Sequence, residues 1–198
     1  MGNNEYGDEL FIYSMSLKEN MDEKSQAIDI ADTAVVGGVS YSFQKIHMFD
    51  GSVSVIVPEQ FVEMNEESAK LKYPSDYRPQ CIYTNYNGAL NIAFSLLDYP
   101  FDKNQIEEQI SEWEMGIKQA NPAYVFLTRK TEVLDVVKIG YFEYKSDAQD
   151  DKVYNFVFII SACKKLLLGV FNCPFEQHKD WRQLVVRMIL SIKEKTSE

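Results

Sequence analysis

His47 and His178 are the two imidazoles of the chain. Acid–base chemistry near neutral pH would therefore rest on them or on carboxylates moved from their usual range. Nucleophilic catalysis also needs a nucleophile beside a base and a donor for the oxyanion, and no Gly-x-Ser-x-Gly is present. His47 precedes an Asp50-Gly51 turn and His178 opens a C-terminal helical stretch, positions that predict surface or rim histidines. Zinc would need Cys/His pairs at ligand spacing, and Cys81, Cys163 and Cys173 form none. Asp147, Asp150 and Asp151 cluster, but without the alternating ligands and glycine of a calcium loop; they read as a solvated hairpin tip. Glu107, Glu108, Glu112 and Glu114 read as the wet face of a helix, and Gly37-Gly38 lacks the Lys-Ser/Thr of a phosphate loop. The expectation is no catalytic residue, no metal and no cofactor.

Residue types suited to recognition concentrate in Lys72-Tyr73-Pro74-Ser75-Asp76-Tyr77-Arg78-Pro79. Each proline disfavours helical backbone in the residue before it, so this is a rigid, extruded connection. Tyr and Arg dominate the energetic centres of interfaces, which makes Tyr73, Tyr77 and Arg78 the candidate partner-binding residues. The competing reading is a stiff connector whose Tyr73, Tyr77 and Arg78 pack back on the sheet.

At 198 residues and 45% hydrophobic content the chain suits one domain with a substantial core. Twelve Tyr and twelve Phe favour a sheet-rich interior. The net charge of −10 is uneven: residues 1–40 carry eight acids and two lysines, whereas the rest is nearly balanced. An acidic surface without a Lys/Arg stripe repels phosphate backbones, which argues against nucleic acid. Met1-Gly2-Asn3-Asn4-Glu5 lacks the basic start and apolar run of a signal peptide, and Tyr6 stands where a myristoylation pattern wants Ser or Thr. The longest apolar runs are far short of a membrane span. Strand register would place Cys173 opposite residues 154–156 rather than Cys163, so free thiols in a reducing cytoplasm are expected.

Residues 1–38 read as an acidic, partly ordered arm, with 27–36 as a short helix or an extended segment, and 39–198 as a single domain. Residues 42–49 and 52–57 predict a hairpin turned at Asp50-Gly51, and 80–86 and 89–97 a second turned at Asn87-Gly88. Between them Pro58 ends a strand and opens a helix over Glu59–Met64, and Asn65 restarts a turn or helix that reaches Leu71. Ile106, Ile110, Trp113 and Ile117 mark a helix from Asp102 to Asn121. Four strands follow (123–133, 136–145, 152–162 and 165–173), joined by links too short for parallel neighbours. The third is apolar on both faces and should be central. A last helix from Phe175 to about Lys193 carries Trp181, Leu184, Val185, Met188 and Ile192 as its stripe. The class is α+β: an antiparallel sheet of about six to eight strands with helices packed on both faces.

This element order, with Pro58-Glu59-Gln60-Phe61, the 72–79 segment and the Ile82-Tyr83-Thr84-Asn85 run behind it, resembles the PsbP/DcrB-like superfamily. It is also similar to the α/β/α sandwich of the Mog-type Ran-binding factor, and the 72–85 segments look like those of small bacterial members of the group. The resemblance covers residues 40–195 and implies a non-catalytic accessory or binding role; no site residue carries over from it. The expectation is thus a binding module for a protein partner in a bacterial cytoplasm, a monomer or weak dimer. Two other classes stay open: a small carboxylate- or metal-dependent enzyme with a cleft between helix and sheet, and a neutraliser of a basic toxin or effector acting through the acidic arm.

Overall fold

A computed structural model describes residues 26–134, 136–148 and 151–195. The predicted four-strand meander is present as β7 (Val125–Leu134), β8 (Val137–Asp147), β9 (Lys152–Ala162) and β10 (Lys165–Pro174). Beyond β10 the sheet continues with β6 (Asn91–Pro100), β5 (Cys81–Thr84) and β4 (Val62–Glu63), in the order β4-β5-β6-β10-β9-β8-β7 and antiparallel throughout. Seven consecutive residues of β9 are buried because both sheet faces are covered. A Cβ added at Gly169 in β10 would stand 1.9 Å from the Phe158 ring tip, so the missing side chain lets that ring lie against the neighbouring strand.

Strands β6 and β7 run in the same direction but are separated by three strands, so their connection must cross the sheet. Helix α2 (Ile106–Ala120) makes that crossing, entered through a 3-10 turn at Lys103–Gln105 whose Asp102 forms a capping box. Ile106 and Ile110 bury against Phe142, Val157, Ile159 and Leu166. Glu114 departs from the expected wet face. It is buried and paired with Lys118 (2.8 Å) and Arg129 (3.1 Å), because α2 lies so close to β8 and β7 that this helical position is covered.

The other face of the sheet holds the second half of the fold. Strands β1 (Thr33–Val36), β2 (Val39–Met48), β3 (Val53–Pro58) and β11 (Lys193–Glu194) form a four-stranded antiparallel sheet. Helix α3 (His178–Leu190) shares one core with both sheets. Trp181 shows this directly, its ring 5.1 Å from Tyr41 of β2 and 5.5 Å from Phe171 of β10. Burial therefore extends well beyond one stripe, to His178, Arg182, Val186, Ile189 and Leu190.

Several sequence expectations are corrected here. No helix forms over Glu59–Met64. Pro58 stays paired with Phe43, a turn follows, and Phe61 is drawn fully under Trp181 before the two-residue β4 joins β5. Helix α3 ends at Leu190 rather than near Lys193, since residues 193–194 pair with β3. His178 is buried instead of lying at the rim. The first hairpin is centred on Asp50-Gly51 as expected: Met48 pairs with Val53, Ser52 N donates to Phe49 O, and Phe49, Asp50 and Gly51 all have positive φ. Of the two readings left open for residues 27–36, a short helix or an extended segment, residues 33–36 take the extended one and form an edge strand paired with β2.

Ser191 locks the end of α3 to the small sheet. Its buried hydroxyl donates to Met188 O (2.6 Å) and accepts from Ile56 N (2.9 Å). Ser191→Ala would leave that amide unsatisfied in the interior. The expected loss is about 1–3 kcal/mol, read as a lower urea midpoint; an unchanged midpoint would show that the amide finds another acceptor.

Candidate functional site

The chain passes from the small sheet to the large one between Pro58 and Cys81. The crossing is fixed at its start by Gln44, whose Nε2 donates to Phe61 O (2.9 Å). The short helix α1 (Glu66–Lys72) follows, its first turn capped by Asn65 Oδ1 accepting from Ser68 N (2.8 Å). Ala69 is the buried residue of α1 and packs with Ile82 and Ala93 of the large sheet. At the C-terminal end, Lys72 Nζ donates to Gly88 O and Asn91 Oδ1, both at 2.9 Å. Burial holds this ammonium below the usual lysine range. It ties α1 to the turn between β5 and β6.

Within the loop that follows, the three sequence-predicted residues part company. Tyr73 packs partly buried against the Ala69–Ile82–Ala93 cluster, and burial raises the pKa of its hydroxyl. Arg78 is half-buried, with Nε donating to Tyr73 O at 3.2 Å. These two are brought together, and they brace the loop. Tyr77 points away with 97% of its surface exposed, while its backbone N–H donates to Ser75 Oγ (3.1 Å). Two exposed side chains escaped the sequence reading: Leu71 at 87% and Tyr86 at 103%. The signal for Tyr86 was its place just before Asn87-Gly88, at a turn tip. Leu71 sat among polar neighbours where helical periodicity is too short to assign a face.

A buried polar network lies elsewhere, between α3 and the large sheet. Arg182 Nε donates to both Glu143 oxygens (3.0 and 3.1 Å), Tyr154 OH donates to Glu143 Oε2 (2.5 Å), and Arg182 Nη2 donates to Tyr141 OH (3.3 Å). Tyr141 OH donates in turn to Glu132 Oε1 (2.8 Å). Glu143 is 0% exposed and Arg182 8%, so a substrate cannot touch the carboxylate without moving α3. Burial, first of all, raises the phenol pKa of Tyr141. His178 stacks on Phe175, its Nδ1 lies 2.5 Å from Phe175 O, and burial is the main cause lowering its pKa.

Among the described residues no three or more His, Cys, Asp or Glu side chains group as a metal site would require. Asp147 and Asp151 are exposed at the β8–β9 connection, and Asp150 lies outside the described residues. Cys81, Cys163 and Cys173 are free; Cys173 stands opposite Tyr154, within the register expected. The acidic stretch of the arm, residues 1–25, also lies outside the described residues. No described helix is long and apolar enough to cross a membrane.

The sequence matches no known family profile and no curated protein. Solved structures do match in shape. Cyanobacterial PsbP (CyanoP) from Synechocystis sp. PCC 6803 superposes with a TM-score of 0.57 over 82% of this chain and 98% of its own, at 8% identity. A Bacteroides thetaiotaomicron VPI-5482 protein gives 0.53 over 78% of this chain and 49% of its own, at 11% identity. At such identities the likeness speaks to architecture alone, and the architecture it establishes is a PsbP-like α+β fold.

Proposed function

We propose that the protein is a non-catalytic binding module that docks a protein partner, in a bacterial cytoplasm, through the end of the sheet where α1 and the β5–β6 turn meet. The observation that carries this reading is the exposure of Leu71, Tyr77 and Tyr86 on backbone that Lys72 and Arg78 hold in place. Exposed aromatic anchors on a braced loop lose little conformational freedom on binding, which is what an interface centre requires. Tyr73, Tyr77 and Arg78 divide the work: Tyr73 and Arg78 support, and Tyr77 makes contact together with Leu71 and Tyr86. The free cysteines suit a reducing compartment.

The test compares wild type with Tyr77→Ser/Tyr86→Ser in affinity capture from an extract of the source organism. Both rings are exposed, so the denaturation midpoint should stay within about 0.5 kcal/mol of wild type. A partner retained by wild type and lost by the variant is the expected result. Equal capture of the same partners by both would overturn the reading.

A further inference from the structure

Strand β7 is the outermost strand of the large sheet and is hydrogen-bonded to β8 on one side. It is ten residues long, whereas β1, β4 and β11, the other outer strands of the two sheets, have two to four. Short edges are self-protecting; a long one offers a full row of backbone groups to another strand. Helix α2 touches the face of β7, where Ser111 and Glu114 receive Arg129, and among the described residues no strand pairs with the outer edge of β7.

Two independent features single out one occupant. The ladder with β8 is irregular between Phe126 and Thr128, so the regular part of β7 is Thr128–Leu134, with Thr131 at its midpoint. On either side of that midpoint stand Lys130 and Glu132, two residues apart and hence on one face of the sheet. Glu132 is already held on that face by the Tyr141 hydroxyl at 2.8 Å.

We propose that β7 pairs with β7 of a second copy of this chain, antiparallel, across a twofold axis at Thr131. In that register Thr128 faces Leu134, Arg129 faces Val133, and Lys130 faces Glu132, each twice, as a self-complementary interface requires. Directly opposed opposite charges favour a strand pair and opposed like charges disfavour it. Moving the axis by one residue either way places Lys130 against Lys130 or Glu132 against Glu132, so the charges choose the register that also uses the whole regular segment. Val133, 64% exposed, would be covered by the stem of the opposing Arg129. A lysine on an edge ordinarily discourages pairing; here Glu132 makes it complementary. The β4–β5 edge and its Tyr77 patch lie at the far side of the sheet, so this pairing does not depend on the partner site proposed above.

The test uses the full chain in sedimentation velocity over a concentration series. Wild type should show a concentration-dependent dimer. Lys130→Glu alone and Glu132→Lys alone each set like charges against each other twice, and each should weaken self-association roughly tenfold or more. An equimolar mixture of these two variants restores opposite charges at both positions and should form a heterodimer near wild-type strength, as should the double variant K130E/E132K with itself. Circular dichroism of each variant alone confirms that it is folded. A wild type that stays monomeric overturns the proposal and leaves the edge to an extended segment of another protein. Single variants that dimerise like wild type, or a mixture that does not associate, overturn it as well.

Discussion

Gly169→Ala is expected to be among the most damaging single substitutions in the molecule, lowering stability by about 3 kcal/mol or more. The new methyl would stand 1.9, 2.2 and 2.6 Å from Phe158 Cζ, Cε1 and Cε2. Phe158 is fully buried and confined by Phe94 in edge-to-face contact at 6.3 Å and by Phe156 at 6.4 Å. The ring therefore has no open space to swing into, and the clash must be relieved by separating β9 from β10, the central pair of the sheet. Guanidinium denaturation measures the loss. Phe158→Leu in the Gly169→Ala background should recover part of it, because leucine withdraws the atoms that collide; if Phe158→Leu worsened Gly169→Ala additively, the strain would lie elsewhere.

Arg182→Met should cost about 3–5 kcal/mol, the range found when one partner of a buried ion pair is removed. Methionine keeps the apolar stem, so the loss isolates the guanidinium. Glu143, 0% exposed, would forfeit the Nε–H that its two oxygens share and keep the Tyr154 hydroxyl. Changing both partners in E143Q/R182M should be much milder than Arg182→Met, since the glutamine oxygen still accepts from Tyr154 and no charge remains to be compensated. A double-mutant cycle on urea midpoints measures this, and a coupling near zero would show that the pair does not clamp α3 to β8. Exposed pairs such as Lys70–Glu66 and Lys165–Asp98 should contribute little, because solvent screens them.

These two sites also show why part of the molecule could be read from sequence and part could not. Elements whose burial follows their own periodicity were visible: Ile106 and Ile110 of α2, the alternation of β9, the short links of the meander. What a second sheet imposes was not. Arg182 and His178 look like outward positions of a one-sided helix, and only the enclosure of α3 between two sheets buries them. Glu143 and Arg182 are 39 residues apart, and each alone reads as a solvated charge. Glu59–Met64 had helix-starting residues, but burying Phe61 under Trp181 outweighed local preference. The candidate site was legible in residue type and rigidity through Pro74 and Pro79. Which ring would turn outward was decided by the small Ala69–Ile82–Ala93 cluster, which accepts Tyr73 and has no counterpart for Tyr77.

The pairing of β11 with β3 has a consequence for how the molecule is made. Ser54 and Lys193 are 139 residues apart in sequence, so at the usual pace of about 5–20 residues per second the ribosome takes roughly 7–28 s to supply the partner of a strand it has already released. Until its last stage, when α3 and then β11 are made, Val53, Val55 and Val57 have neither to cover them, and the nascent chain carries an apolar, strand-competent segment outside the exit tunnel. Hairpin pairing with β2 can form at once and protects one edge. The opposite edge must wait for nearly all of the chain from β3 onward, which leaves this half of the molecule the last to complete its core during synthesis.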